Sequence, residues 1–136
     1  MKLLMYAVCA SLLSLSGCGT DEPTPTPDAP TVAQDWALVS KTTTVARPTA
    51  TAVASTAQYA SGCRVVYRPD GSWQSSGPGI PTQKGAYTVA GNTLTIMLGG
   101  RPHALTVAQL TATRMQTREV VEEPGCRAEI LIYYAK

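Results

Sequence analysis

The chain has one histidine, His103. A general base needs a nucleophile and an orienting partner within reach, and no spacing in the sequence supplies either. Beside Pro102 on a hairpin strand, His103 reads as a surface or rim residue. Glu119, Glu122 and Glu123 are close enough in sequence to suggest a cation site, but a solvated hairpin turn accounts for them more simply. Other acidic residues are scattered, so no carboxylate pair points to glycoside chemistry. Arg64 with Arg68, and Arg114 with Arg118, stand four apart, a spacing that puts both members on one face of a strand. If those strands are neighbours, a basic stripe would face an anionic partner; the simpler reading is solubilising charge on outer faces. Trp36, Tyr67, Trp73 and Tyr87 can line a ligand cavity or pack a core, since a small barrel's interior is nearly filled by side chains. The expectation is a protein that is not an enzyme and carries no cofactor and no metal.

The remaining reactive side chains are the four cysteines, Cys9, Cys18, Cys63 and Cys126. Met1-Lys2 followed by the apolar run from Leu3 to Leu15 has the charged start and short hydrophobic centre of a signal peptide, too short to span a bilayer. The run ends in Leu15-Ser16-Gly17-Cys18, which resembles the lipobox of bacterial lipoproteins at every position. That resemblance implies cleavage after residue 17 and acylation of Cys18 with chains such as palmitate. An ordinary cleaved secretory signal is the alternative. Two or more acyl chains hold a protein stably on a membrane where one holds it marginally. Residues 18–33 are rich in Pro-Thr repeats that favour extended chain and cannot build a core, so they read as a tether. Asp21 and Glu22 resemble, weakly, the acidic surface-export signal of Bacteroidetes-type lipoproteins, but a generic solvated linker explains them more simply. The expected location is the cell envelope, on the outer membrane. Cys9 would leave with the signal and Cys18 would take lipid. Cys63 and Cys126 are then the two cysteines left in an oxidising compartment, and they are expected to pair. Closing a loop of about sixty residues would contribute on the order of 4 kcal/mol. Two separate buried thiols are the alternative.

Lys and Arg number 11 and Asp and Glu 9, a net charge of +2 over 136 residues. No basic tract or aromatic-plus-arginine platform accompanies it, so nucleic acid is not an expected partner. The richness in Thr, Ala, Val and Gly favours strands. The folded domain should span 34–136. Trp36, Leu38 and Ser40 alternate along a first strand that continues through Thr42–Val45. Arg47 to Ser61 has no clear period and reads as a loop or as a short helix over Val53–Tyr59. Cys63, Val65 and Tyr67 share one face of the next strand, and Pro69-Asp70-Gly71 is turn chemistry. Trp73 begins a further strand, and the prolines in Ser75–Pro81 require an open loop. Gly91-Asn92 makes a tight hairpin between the strands bearing Tyr87 and Val89 and those bearing Leu94 and Ile96. Strands over His103–Val107, Leu110–Val120 and Cys126–Tyr134 complete an all-β, antiparallel up-and-down barrel of about eight strands, which hides both apolar faces and sheet edges.

With those residues placed, Trp36 to Tyr134 resembles the lipocalin-like domain of small bacterial lipoproteins. The matching features are Trp36 opening the first strand, Asp70-Gly71 closing an apolar–aromatic strand, Gly85-x-Tyr87, Gly91-Asn92-x-Leu94-x-Ile96, and Leu110-Thr111 before a late strand. Tyr67 stands where the family usually has Phe, and Tyr87 where Trp is common. The resemblance implies a barrel able to hold a small hydrophobic ligand and carries over no catalytic residue. A second expectation, from another class, is an inhibitor of a cell-wall hydrolase resembling periplasmic lysozyme inhibitors and acting through the Ser75–Pro81 loop. An assembly partner of an envelope complex is a third. The oligomeric state is open, with a monomer as the working expectation.

Overall fold

The computed structural model describes residues 29–136. The signal segment, Cys18 and most of the expected tether therefore lie outside the described residues. The described part is all-β, with nine strands: β1 (Asp35–Arg47), β2 (Ala50–Gln58), β3 (Arg64–Tyr67), β4 (Ser72–Ser76), β5 (Gln83–Ala90), β6 (Thr93–Leu98), β7 (Arg101–Leu110), β8 (Arg114–Glu123) and β9 (Cys126–Ala135). Every pairing is antiparallel. Eight of the strands close into a barrel because β1 pairs with β3 on one side and β9 on the other; β2 lies outside the ring, against the far half of β1.

The parity expected from the sequence sets the inside of this barrel. Trp36, Val65, Tyr67, Trp73, Leu94, Ile96, Leu105, Met115 and Tyr134 are buried together. Strand pairing stacks them in cross-strand couples, Tyr67 opposite Trp73, Leu94 opposite Leu105 and Met115 opposite Tyr134. Such couples are the unit by which sheets gain side-chain stability. The turn at Pro69–Gly71 forms as its residues dictate. Asp70 Oδ1 accepts from the Ser72 amide at 2.8 Å and from its hydroxyl at 2.6 Å, which holds the carboxyl below the usual range.

Four expectations need correction. The first concerns Arg47–Ser61, which forms neither loop nor helix: residues 50–58 are strand β2, paired with β1 from Ser40↔Gln58 to Arg47↔Ala50. All nine of its residues are exposed, so the strand has no apolar face and leaves no alternating signal in the sequence. The second concerns β1, which bulges at Val39, between Leu38 and Ser40. The bulge breaks the expected alternation, so beyond it Lys41, not Ser40, lies opposite Ile132. The third concerns the strand expected over Leu110–Val120, which divides at a turn where Thr111 Oγ1 accepts from the amides of Thr113 and Arg114. Upstream of β1, Val32 is buried in the core, and its carbonyl accepts the Trp36 indole N–H at 3.0 Å.

The fourth correction is the disulfide. Cys63 and Cys126 are both free thiols. Cys63 sits beside the start of β1, its carbonyl accepting from Leu38 N at 2.9 Å. Cys126 lies at the far end, next to Arg127, which is opposite Ala46. The strand from Leu38 to Ala46 spans roughly 25 Å at an extended rise, and a disulfide tolerates no more than about 7 Å between Cα atoms. Both cysteines do face inward, as their parity indicated, but at different heights. A reducing agent is accordingly expected to leave the thermal unfolding midpoint unchanged. Rupture of a bond between these cysteines would instead remove about 4 kcal/mol and lower the midpoint by several degrees.

Candidate functional site: the barrel cavity

The barrel has two unlike ends. At one end, Val32 and Trp36 fill the interior, and Trp36 is wholly inaccessible to solvent. Tyr87 stands at this closed end as well. Its amide donates to Gly71 O at 2.7 Å and its hydroxyl to Arg68 O at 2.8 Å, latching the Pro69–Gly71 turn. Its ring meets that of Tyr67 edge to face, centroids 5.0 Å apart.

Toward the other end the packing opens into a cavity of about 270 Å³. Its floor and walls are Val65, Tyr67, Trp73, Ile96, Leu105 and Tyr134. Around its mouth stand Gln83, Leu98, His103, Glu119 and Ile132, with Ile80 and Pro81 above them. An apolar interior with a few polar groups at the rim is the usual make-up of a small-molecule pocket, at the lower edge of the common size range of roughly 300–1,000 Å³. A larger depression of about 460 Å³ runs past Val39, Gln109, Arg114 and Tyr133. Those four residues are exposed to solvent, and no enclosing ring of apolar side chains surrounds them.

Two details of the cavity wall bear on chemistry. Trp73 is 4% exposed, yet its indole N–H has no hydrogen-bond partner. Buried donors are nearly always paired, and an unpaired one costs about 1–3 kcal/mol. The indole lies over Gly85, where a Cβ would come within 2.9 Å of Nε1 and 2.5 Å of Met97 O. Gly85 is what makes room for it. On the floor, Tyr134 and Thr117 share a hydrogen bond of 3.2 Å between hydroxyls, a satisfied polar pair beneath the apolar walls.

The segment after β4 forms the cover. Gly77 has φ of +139° and lies so close to Cys63 that a Cβ would sit 2.5 Å from the Cys63 Cα; only glycine fits. Cys63 Sγ donates to Pro78 O at 3.1 Å and Ser75 Oγ to Pro81 O at 3.2 Å. Pinned at both ends, the loop sets half-buried Ile80 and the ring of Pro81 beside the cavity and exposes Pro78 and Gly79 at its tip.

Of the four aromatic residues singled out from the sequence, Tyr67 and Trp73 line the cavity. Trp36 and Tyr87 belong to the closed end instead. His103, read as a surface or rim residue, stands at the mouth, and Glu119, read as part of a solvated hairpin turn, lines it as well. Strand parity carried that information: His103 is two residues from buried Leu105, and Glu119 two from buried Thr117. Glu122 and Glu123 are exposed at the β8–β9 hairpin, where Glu122 pairs with Arg127 at 3.6 Å. The four arginines form no stripe, because β9 and β1 separate β8 from β3. Arg64 is bound to Asp35 at 2.7 Å and Arg118 to Glu129 at 2.7 Å, so each carries its own counter-charge. Among the described residues no group of three His, Cys, Asp or Glu side chains is placed to hold a metal ion. Compared with protein-family models, with curated proteins and with solved structures, the chain matches none.

Burial pushes the Tyr134 hydroxyl up to about 12, with the Thr117 hydrogen bond opposing and Tyr59 adding to the rise. Burial also raises Tyr67, helped by Tyr134 and Tyr87. The sign of the pH effect follows. An unfolded tyrosine loses its proton near 10 while the folded one keeps it, so above that pH the unfolded state binds fewer protons and stability falls. Denaturant midpoints should therefore be flat as pH approaches 10 and fall steadily between 10 and about 12. Tyr134→Phe should make that fall shallower, and tyrosinate absorbance should show two late-ionising groups that titrate only as the protein unfolds.

Proposed function

We propose that this is a membrane-anchored, lipocalin-like lipoprotein, not an enzyme, whose barrel binds a small hydrophobic molecule in the cavity under the Gly77–Pro81 loop. The observation that carries the reading is the cavity itself, an interior walled by Val65, Tyr67, Trp73, Ile96 and Leu105 with Gln83, His103 and Glu119 at its mouth. A ligand with an apolar body and one polar end would bury its hydrocarbon against Ile96 and Leu105. The mouth residues His103, Glu119 and Gln83 would then meet its solvated end. The competing reading, inhibition of a cell-wall hydrolase through an exposed loop, draws less support, because this loop is tied down on both flanks and its one large aliphatic side chain, Ile80, turns toward the cavity.

Titration with a medium-chain alkanol or fatty acid, followed by tryptophan emission, tests the proposal. Saturable binding should shift the emission of Trp73 and leave that of Trp36, sealed at the closed end, as an internal reference. Leu98→Phe, at the half-buried mouth, should block binding without unfolding the barrel. No saturable binding to any member of an alkanol and fatty-acid series would overturn the proposal.

The anchor belongs to the same reading and rests on the lipobox-like Leu15–Cys18 segment. Metabolic labelling with an alkynyl fatty acid should mark the wild-type chain in the membrane fraction. Cys18→Ser should lose both the label and the membrane association. A labelled Cys18→Ser chain would show that acylation occurs elsewhere.

A further inference from the structure

We infer that two copies of this chain pair antiparallel through the free edge of β2, joining their sheets across a two-fold axis. Beyond the barrel's rim, β2, the far half of β1, β9 and the end of β8 continue as a four-stranded wing. On one side of β2 the ladder to β1 is complete. Tyr59 N donates to Val39 O at 3.0 Å, and this fixes the phase of the hydrogen bonding. In an antiparallel ladder, hydrogen-bonded and non-bonded couples alternate. Ala57, Ser55 and Val53 therefore direct their amides and carbonyls to β1, whereas Ala52, Ala54, Thr56 and Gln58 direct theirs outward. The short separation of the Thr42 and Thr56 hydroxyls, 2.9 Å, agrees with a non-bonded couple there.

That outward row has none of the usual protections. Edge strands of soluble proteins are normally blunted by lysine, proline, a bulge or a covering segment. Over Ala50–Gln58 there is no charge and no proline, and all nine residues are exposed. Nothing among the described residues covers the edge. The occupant this edge suits is its own copy. A row of outward amides and carbonyls is self-complementary when a second copy is turned antiparallel about its centre, as isologous interfaces require. With the axis near Ala54, no charged side chain of either β2 lies opposite a like charge, and the small side chains of Ala52 and Ala54 offer no obstacle.

The face of the wing gives a second reason. Val53, Val45, Ala128 and Val121 form one row across four strands, through the couples Val53↔Val45, Val45↔Ala128 and Val121↔Ala128. Val53 is 67% exposed and Val121 37%. A perpendicular two-fold axis keeps both copies of the row on the same side of an eight-stranded sheet, doubling a patch that one copy leaves open. This inference concerns the wing and does not rest on the ligand reading of the cavity.

The test uses the full chain in density-matched detergent, with sedimentation velocity and amide hydrogen exchange. A concentration-dependent dimer is expected, with exchange at Ala52, Ala54 and Thr56 slowed at least tenfold on going from monomer to dimer. Ala54→Pro removes one outward N–H, a change that edge strands tolerate, and should raise the dimer dissociation constant at least tenfold with the circular dichroism unchanged. Ala54→Lys tests the same position without proline, because it sets two like charges near the axis; it should dissociate the dimer and recover partly in high salt. The inference is overturned by a monomer at every accessible concentration. It is equally overturned by a dimer that both variants leave intact, or by one in which Ala52, Ala54 and Thr56 exchange as fast as in the monomer, as would follow if the edge served a strand from another protein.

Discussion

The ladder between β1 and β9 is the interaction on which the rest of the molecule depends. It runs from Ala37↔Ala135 to Ala46↔Arg127 and joins the first strand of the barrel to the last. Without it, the strands from β1 round to β9 form an open sheet with two free edges and one apolar face in water. With it, every barrel strand has two neighbours and the interior becomes a closed space. The contact is also the most non-local in the chain, so its loop-closure cost is met only when most of the other strands are in place. One strand serves three partners: β9 takes one edge of β1, and on the other edge β3 pairs below the bulge at Val39 and β2 above it.

Closure alone does not decide whether a small barrel is filled. Here the filling is uneven, and the cause is side-chain size along the strands. Trp36, Tyr87 and Met115 crowd one half, while the other half carries Ser75 and Leu98 on inward positions. Gly85 gives the Trp73 indole a place against the backbone at the expense of leaving its N–H without an acceptor.

Much of this was legible in the chain itself. Alternation placed Cys63, Val65 and Tyr67 on one face, and Leu94, Ile96 and Leu98 on another, and each set does face the interior. Asp70-Gly71 and Gly91-Asn92 marked turns because their side chains and backbone freedom act within a few residues. Strand β2 was not legible, because an element exposed on both faces has no hydrophobic period to read. The Cys63–Cys126 pairing failed for a related reason. Parity reports which side of a strand a residue occupies but says nothing of its height along the barrel axis, and height is what separates these two thiols. His103 was read as a surface or rim residue and stands at the rim, whereas Glu119 was assigned with Glu122 and Glu123 to the hairpin turn although its parity matches buried Thr117. At the end of a barrel strand an inward position is wet enough for both.

The hydrogen bond from Trp36 to the Val32 carbonyl has one more consequence. By fixing the chain at the plugged end, it places Pro30 to Val32 against the Pro69–Gly71 turn and Tyr87, on the side opposite the cavity mouth. The molecule therefore has a base and a top. The opening and its covering loop face away from the point where the described chain enters the barrel, and a solute reaches them without passing that entry.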